Sequence, residues 1–201
     1  RSFKRHPWNI HLEPGFKSEW GAFLLSAVRW PSNEYLGGEF NLDYRADRGF
    51  GIGPTLEYKT PEWGGGNLNI YHASDDDPLT DSRGLAISRE RNIAQWNHRY
   101  TKDQFSAISV LEYESDEYVR RDFFEDRYRQ NVQPNSFLEV ANHWDNYNLS
   151  VLMQPRINAF YEGIQRTPDI QFTGTRNQLG DTPFFYDTES SVGYFQRRYD
   201  Y

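Results

Sequence analysis

Glycines at positions 49, 51 and 53, within NLDYRADRGFGIGPTLEYK (Asn41–Lys59), have a spacing that could cradle a phosphate. Such a loop needs a buried apolar strand before the glycines and a helix after them, whose first amides point at the anion. Neither is present. Before the turn ADRG, Leu36, Gly38, Phe40, Leu42 and Tyr44 alternate with Gly37, Glu39, Asn41, Asp43 and Arg45. After it, Phe50, Ile52, Pro54, Leu56 and Tyr58 alternate with Gly49, Gly51, Gly53, Thr55, Glu57 and Lys59. A period of two on both sides predicts two half-apolar strands joined by a tight turn. The glycines then fall on the polar face, where small residues leave room.

Other residues with chemical capacity are sparse. SDDDP (Ser74–Pro78) offers adjacent carboxylates for a divalent cation, which prefers oxygen ligands, but lacks the full spacing of a calcium loop. A solvated outer loop is the expected reading. His98 and His143 stand singly in strand-like stretches, with no second histidine at ligand spacing and no evident serine and acid to complete a triad. Pro7 and Pro14 fall in or beside the first candidate strand. A proline removes a ladder donor, so the expectation is a strand start and a bulge, with a deliberately weakened strand as the functional alternative.

The elements that must position these residues read as strands almost throughout. Candidates are 8–16, 22–30, 35–45, 49–59, 66–74, 85–100, 104–114, 135–145, 147–161, 168–175 and 184–198. Most reach about 9–11 residues, the length of a membrane-barrel strand, where soluble strands run about 5–6. Asp116–Gln130 is the best candidate for a short helix within a loop. Connections are short after the sixth and eighth strands (101–103 and near Asn146). They are long after the fifth and seventh (75–84 and 115–134), as in outer-membrane barrels with short periplasmic turns and long outer loops. On that parity the first strand rises from the periplasmic side, and the long connection 176–183 breaks the pattern.

Composition narrows the classes. The chain has 201 residues and a formal net charge of −7, which argues against nucleic acid as a partner. It has no cysteine, hence no disulfide and no thiolate metal site. Mean hydropathy is −0.88 and aromatic content is 17%, too aromatic for disorder. The abrupt ends lead us to expect residues 1–201 to be a single segment of a longer protein. The polar face carries Glu39, Asn41, Asp43, Glu57 and Lys59, which a soluble sandwich would turn to water and a barrel to its lumen. Strand length, loop parity and aromatics near strand ends (Tyr44, Tyr58, Tyr113, Trp144, Tyr161) favour the barrel. The predicted fold is all-β, an antiparallel up-and-down meander of about eleven strands forming part of a transmembrane outer-membrane β-barrel.

Several segments, in order along nearly the whole chain, resemble the barrel domain of the LptD (OstA, Imp) family of lipopolysaccharide-assembly outer-membrane proteins. They are HPWNI; NEYLGGEFNLDYRADRGFG; AQWNHRYTKDQFSAISVLEYESDEYVRRDF; NLSVLMQPRINAF followed by QRTPDIQF; and GDTPFFYDTESSVGYFQRRYD. The resemblance implies a large barrel in the Gram-negative outer membrane. It takes lipopolysaccharide from a periplasmic bridge of Lpt proteins, docked on an N-terminal domain absent from this stretch. It releases the lipid through a lateral opening between first and last strands, and an LptE-like lipoprotein plugs the lumen. Pro7, Trp8, Asn9 and Pro14 match the gate-strand region by position, with Pro14 one residue off the closest spacing. The family's cysteines are absent. Such transport needs no covalent chemistry, so no catalytic residue, cofactor or metal is expected. The rivals are another outer-membrane barrel, such as a porin-like channel, and a soluble glycan-binding β-sandwich.

Overall fold

The computed structural model describes residues 8–130 and 133–199. Eleven strands follow one another in an antiparallel sheet whose spatial order is their chain order. They are β1 (Asn9–Lys17), β2 (Gly21–Arg29), β3 (Leu36–Arg45), β4 (Gly49–Thr60), β5 (Gly64–Ser74), β6 (Glu90–Lys102) and β7 (Phe105–Glu114), then β8 (Phe137–Trp144), β9 (Tyr147–Gln154), β10 (Gly163–Gln178) and β11 (Phe185–Arg198). Two short helices, α1 (Val119–Phe123) and α2 (Glu125–Gln130), lie in the connection between β7 and β8, where a helix is expected from the sequence. The meander predicted from alternation is therefore present.

Boundaries differ where a breaker or a side chain intervenes. β9 stops at Gln154 because Pro155 has no amide to donate, so the expected strand 147–161 is cut short. Arg156, just past the strand, clamps the following turn through the carbonyls of Tyr161 (3.0 Å) and Tyr199 (2.8 Å). β10 takes up residues expected in the last connection, which shrinks to 179–184. Its register shifts twice, between Arg166 and Asp169 and between Gly174 and Asn177, and Pro168 sits in the first irregularity. β6 begins only at Glu90, leaving 75–89 as a connection with a single bridge from Thr80 to Ala86.

The chain forms two compact units, one of residues 1–96 with 112–134 and one of 97–111 with 135–201. In the first, cross-strand partners place Glu39, Asn41 and Asp43 on one face with Thr55, Gly53 and Gly51. The opposite face carries Phe40, Leu42, Phe50 and Ile52. Its exposure is the reverse of a soluble sheet: Leu42 is 51% exposed and Phe50 60%, while Asp43 is 7% and Arg45 1%. The glycine spacing explains itself here. A Cβ on Gly51 would lie 1.8 Å from the Tyr71 hydroxyl, so the polar face needs glycine for the ring to cross it.

The second unit has the same grammar. Leu138, Val140, Leu149, Val151, Ile170 and Val192 share one face through the registers of β8 to β11. Aromatic side chains pair in both units. In the first, Trp96 donates to the Tyr58 hydroxyl at 2.8 Å. In the second, Tyr147 stacks on Phe172 with centroids 5.6 Å apart beside Trp144.

Candidate functional site

The polar face of the first unit is covered by the connection that carries α1. Val119 and Phe123 of α1 pack with Tyr71 and Ala73 of β5 and Ile93 of β6, the one hydrophobic cluster of this unit among the described residues. Burying side chains of this size contributes roughly 1.5–3 kcal/mol each. Phe124 meets the Tyr71 ring edge-on at 4.8 Å. Trp20, at the β1–β2 turn, donates its indole N–H to the carbonyl of Asp122 at 2.7 Å and so holds the end of the helix.

Around this apolar anchor the covered charges neutralise one another. Arg91 has its side chain wholly buried. It donates to Asp75 (2.8 Å) and Asp122 (2.8 Å) through Nη1 and to Asp116 through Nε (3.0 Å) and Nη2 (2.6 Å). Arg48, in the turn 46–48, reaches Asp75 at 3.1 Å and the carbonyl of Asp77 at 2.9 Å. Arg120 of α1 pairs with Glu114 at the end of β7. Arg45 donates to the Tyr71 hydroxyl at 2.9 Å, and that hydroxyl donates to Asp43 at 2.7 Å. The guanidinium of Arg45 lies between the rings of Trp20 (4.5 Å) and Phe123 (5.1 Å). Removing a partner would leave a buried charge with fewer or no counter-charges, which is costlier than losing a surface pair. The set latches a connection onto a sheet. Among the described residues no group of acids and histidines is placed to hold a metal ion.

The residues singled out from sequence divide. Asp43 belongs to this network. Asn41 donates to the carbonyl of Gly53 at 3.3 Å, and Glu39 accepts from Arg29 at 2.9 Å. Glu57 and Lys59 share the face toward the short-turn end, are exposed, and line a cavity of about 530 Å³ with Tyr35 and Asn67. Asn9 opens β1 and lines another of about 300 Å³ with His11, Ala27, Arg29 and Glu39. Trp8 precedes β1 and is exposed, and Pro7 lies outside the described residues. Pro14 makes no bulge: the register runs unbroken from Asn9 opposite Arg29 to Lys17 opposite Gly21. β1 has β2 as its neighbour and stands at an end of the strand order, and a proline is tolerated in such an edge strand.

The carboxylates of SDDDP correct the expectation of a solvated loop. Asp76 and Asp77 are exposed, but Asp75 is wholly buried between Arg48 and Arg91. His143 lies exposed in β8 and His98 half-buried in β6. Sequence reasoning missed Arg45, Arg48, Arg91, Asp116, Arg120 and Asp122. A partial signal existed: Arg45 and Arg91 have the parity of the polar face, and acids and arginines recur at the turn 46–48 and where β5, β6 and β7 meet the long connections. Compared with known protein families and with curated proteins, the sequence matches none.

Proposed function

We propose that this chain is part of an outer-membrane β-barrel that inserts lipopolysaccharide into the outer leaflet, with β1 as one side of a lateral gate. The observation that carries the barrel reading is the inverted sheet, with its apolar face exposed and its polar face covered by a charged latch. A face of Leu42, Phe50 and Ile52 suits hydrocarbon, and Asp43, Arg45 and Arg91 suit a wet, plugged lumen. Loop parity adds support, since the connections 75–89 and 115–136 fall at one end of the strands and 103–104 and 145–146 at the other. The cargo is supported by the collinear motifs that resemble the LptD family.

In this reading the saccharide head travels along the polar face while the acyl chains leave through a seam at β1. Parting a seam breaks backbone hydrogen bonds, which is costly in hydrocarbon. Pro14 brings no amide to that ladder and lowers the number to be broken. Asn9, His11 and Glu39 line the polar side of the same edge. The partners are lipopolysaccharide, an LptE-like lipoprotein plug and the periplasmic Lpt bridge.

The test is a photo-crosslinking residue at Asn9 in the full-length protein, with Leu56 on the apolar face as control. A lipopolysaccharide adduct at Asn9 and none at Leu56, in the outer-membrane fraction, is the expected result. Membrane localisation without an adduct leaves a barrel with another cargo, and recovery in the soluble fraction overturns the reading.

A further inference from the structure

A row of uncharged polar side chains crosses the polar face of the first unit, from β3 to β6, and ends on a cation. Asn41 Nδ2 donates to Thr55 Oγ1 at 3.4 Å, and Thr55 donates to Asn69 Oδ1 at 3.2 Å. Asn69 Nδ2 donates to Gln95 Oε1 at 3.3 Å, and Arg127 Nη1 donates to the same oxygen at 3.2 Å. These lie at or beyond the long end of the hydrogen-bond range, so each is weak and readily exchanged. Capacity is left over. Among the described residues Asn41 Oδ1, Gln95 Nε2 and the Nε and Nη2 of Arg127 have no protein partner.

Arg127 is the unusual member. It rides on the face of Phe124 at 4.9 Å, and Phe124 rests on Tyr71, so its position is set by the latch. Among the described residues no carboxylate lies within ion-pair distance of it. The charges that it feels are Arg120, which repels, and Glu39, which attracts, and Glu39 is already paired with Arg29. α2 buries none of its side chains, and Arg127 is exposed. Amide and hydroxyl groups in a row offer donors and acceptors at the spacing of cross-strand neighbours, as a saccharide's hydroxyls require. A guanidinium beside them adds a planar fork that suits a phosphate or carboxylate.

We propose that Asn41, Thr55, Asn69 and Gln95 form a saccharide-binding row and that Arg127 reads an acidic substituent on that saccharide. The proposal rests on the transport reading for the source of the saccharide, and on the geometry above for its chemistry. Arg127 is then a specificity-determining residue.

The test uses the full-length protein in detergent and two probes: a deacylated lipopolysaccharide core oligosaccharide bearing its phosphates, and the same oligosaccharide after phosphatase treatment. Titration calorimetry is run on the wild type, Arg127→Gln, Arg127→Lys and Gln95→Ala. Arg127→Gln is expected to weaken the phosphorylated probe about tenfold, the effect of losing one charge-assisted contact, and to leave the dephosphorylated one unchanged. Arg127→Lys keeps the charge without the fork and falls between. Gln95→Ala weakens both probes. Because α2 buries no side chain, Arg127→Gln folds as the wild type does. If Arg127→Gln binds both probes as the wild type does, the role of Arg127 is overturned. If the wild type binds neither, the row is overturned, while the adduct at Asn9 still decides the transport reading independently.

Discussion

In the unit that holds β3 to β5, the polar face lies under α1, and Arg45, Asp75, Arg91 and Glu114 are almost wholly buried. In the unit that holds β8 to β11 the strands alternate as cleanly, yet β11 is exposed along nearly all its length. The pair between Arg197 of β11 and Glu162 stands in solvent, with side chains 63% and 46% exposed. One alternating pattern thus gives two electrostatic regimes. The difference is set by what lies over the polar face, not by the strands. Where a connection covers the face, every charge must meet a partner, because desolvation costs several kcal/mol per ion. In the second unit Asp169 of β10 is buried too, 3.8 Å from Arg166, whereas the pair at the end of β11 keeps its water.

The widest test sets Arg91→Ala against Arg197→Ala in urea unfolding of the folded protein in micelles. Removing Arg91 takes the guanidinium from Asp116 and leaves the buried Asp75 and Asp122 to share Arg48 at 3.1 and 3.8 Å, and up to about 3–5 kcal/mol should be lost. Removing Arg197 should cost at most about 1 kcal/mol. Equal losses would show that the latch contributes no more than a surface pair. Next in size is Tyr71→Phe, which keeps the ring over Gly51 and deletes the hydroxyl shared by Arg45 and Asp43. A loss of about 1–3 kcal/mol is expected for buried groups left unsatisfied. A neutral result would mean that water enters the covered face and replaces the hydroxyl. In the other unit Phe172→Leu keeps an apolar side chain and removes the stack on Tyr147 and the tilted contact with Trp144. The expected loss is about 0.5–1.5 kcal/mol. A loss as large as that of Arg91→Ala would put the main anchor of the fold in the aromatic cluster rather than in the latch.

The same contrast separates what the sequence makes legible from what it hides. Strand existence and facing were readable because a period of two is local: Leu42 and Asp43 declare opposite faces without reference to any other strand. The row from Asn41 to Gln95 follows from that facing once the register is known. The latch was not readable, because it joins residues such as Trp20 and Asp122 that lie 102 positions apart. Nothing in the local pattern of SDDDP distinguishes Asp75, wholly buried, from Asp76 beside it. Pro14 misled for a related reason. A proline is compatible with a bulge or with an edge, and the choice depends on whether a neighbour needs the missing amide.

The connection 75–89 carries both regimes within one loop, and acid should separate them. Asp75 at its start is in the latch, whereas Asp81 organises the loop itself. Asp81 accepts from the Arg83 side chain (Nε 3.0 Å, Nη2 2.7 Å) and from the amides of Arg83 (3.0 Å) and Leu85 (2.7 Å). The hydrogen bond from Arg83, then that from the Leu85 amide, hold its carboxyl below the usual Asp range. The anion is therefore favoured in the folded loop. A folded-state value below the unfolded one stabilises the loop fully above the ordinary Asp range, and the contribution is lost as pH falls through the folded value. Amide exchange at Arg83 and Leu85, corrected for intrinsic rate, should stay flat from neutral pH down to that range and accelerate only in stronger acid. Asp81→Asn should exchange faster at neutral pH and lose the acid step. Loosening of the wild-type loop already near neutrality would show that the carboxylate does not hold it, and would leave the bridge from Thr80 to Ala86 as its anchor.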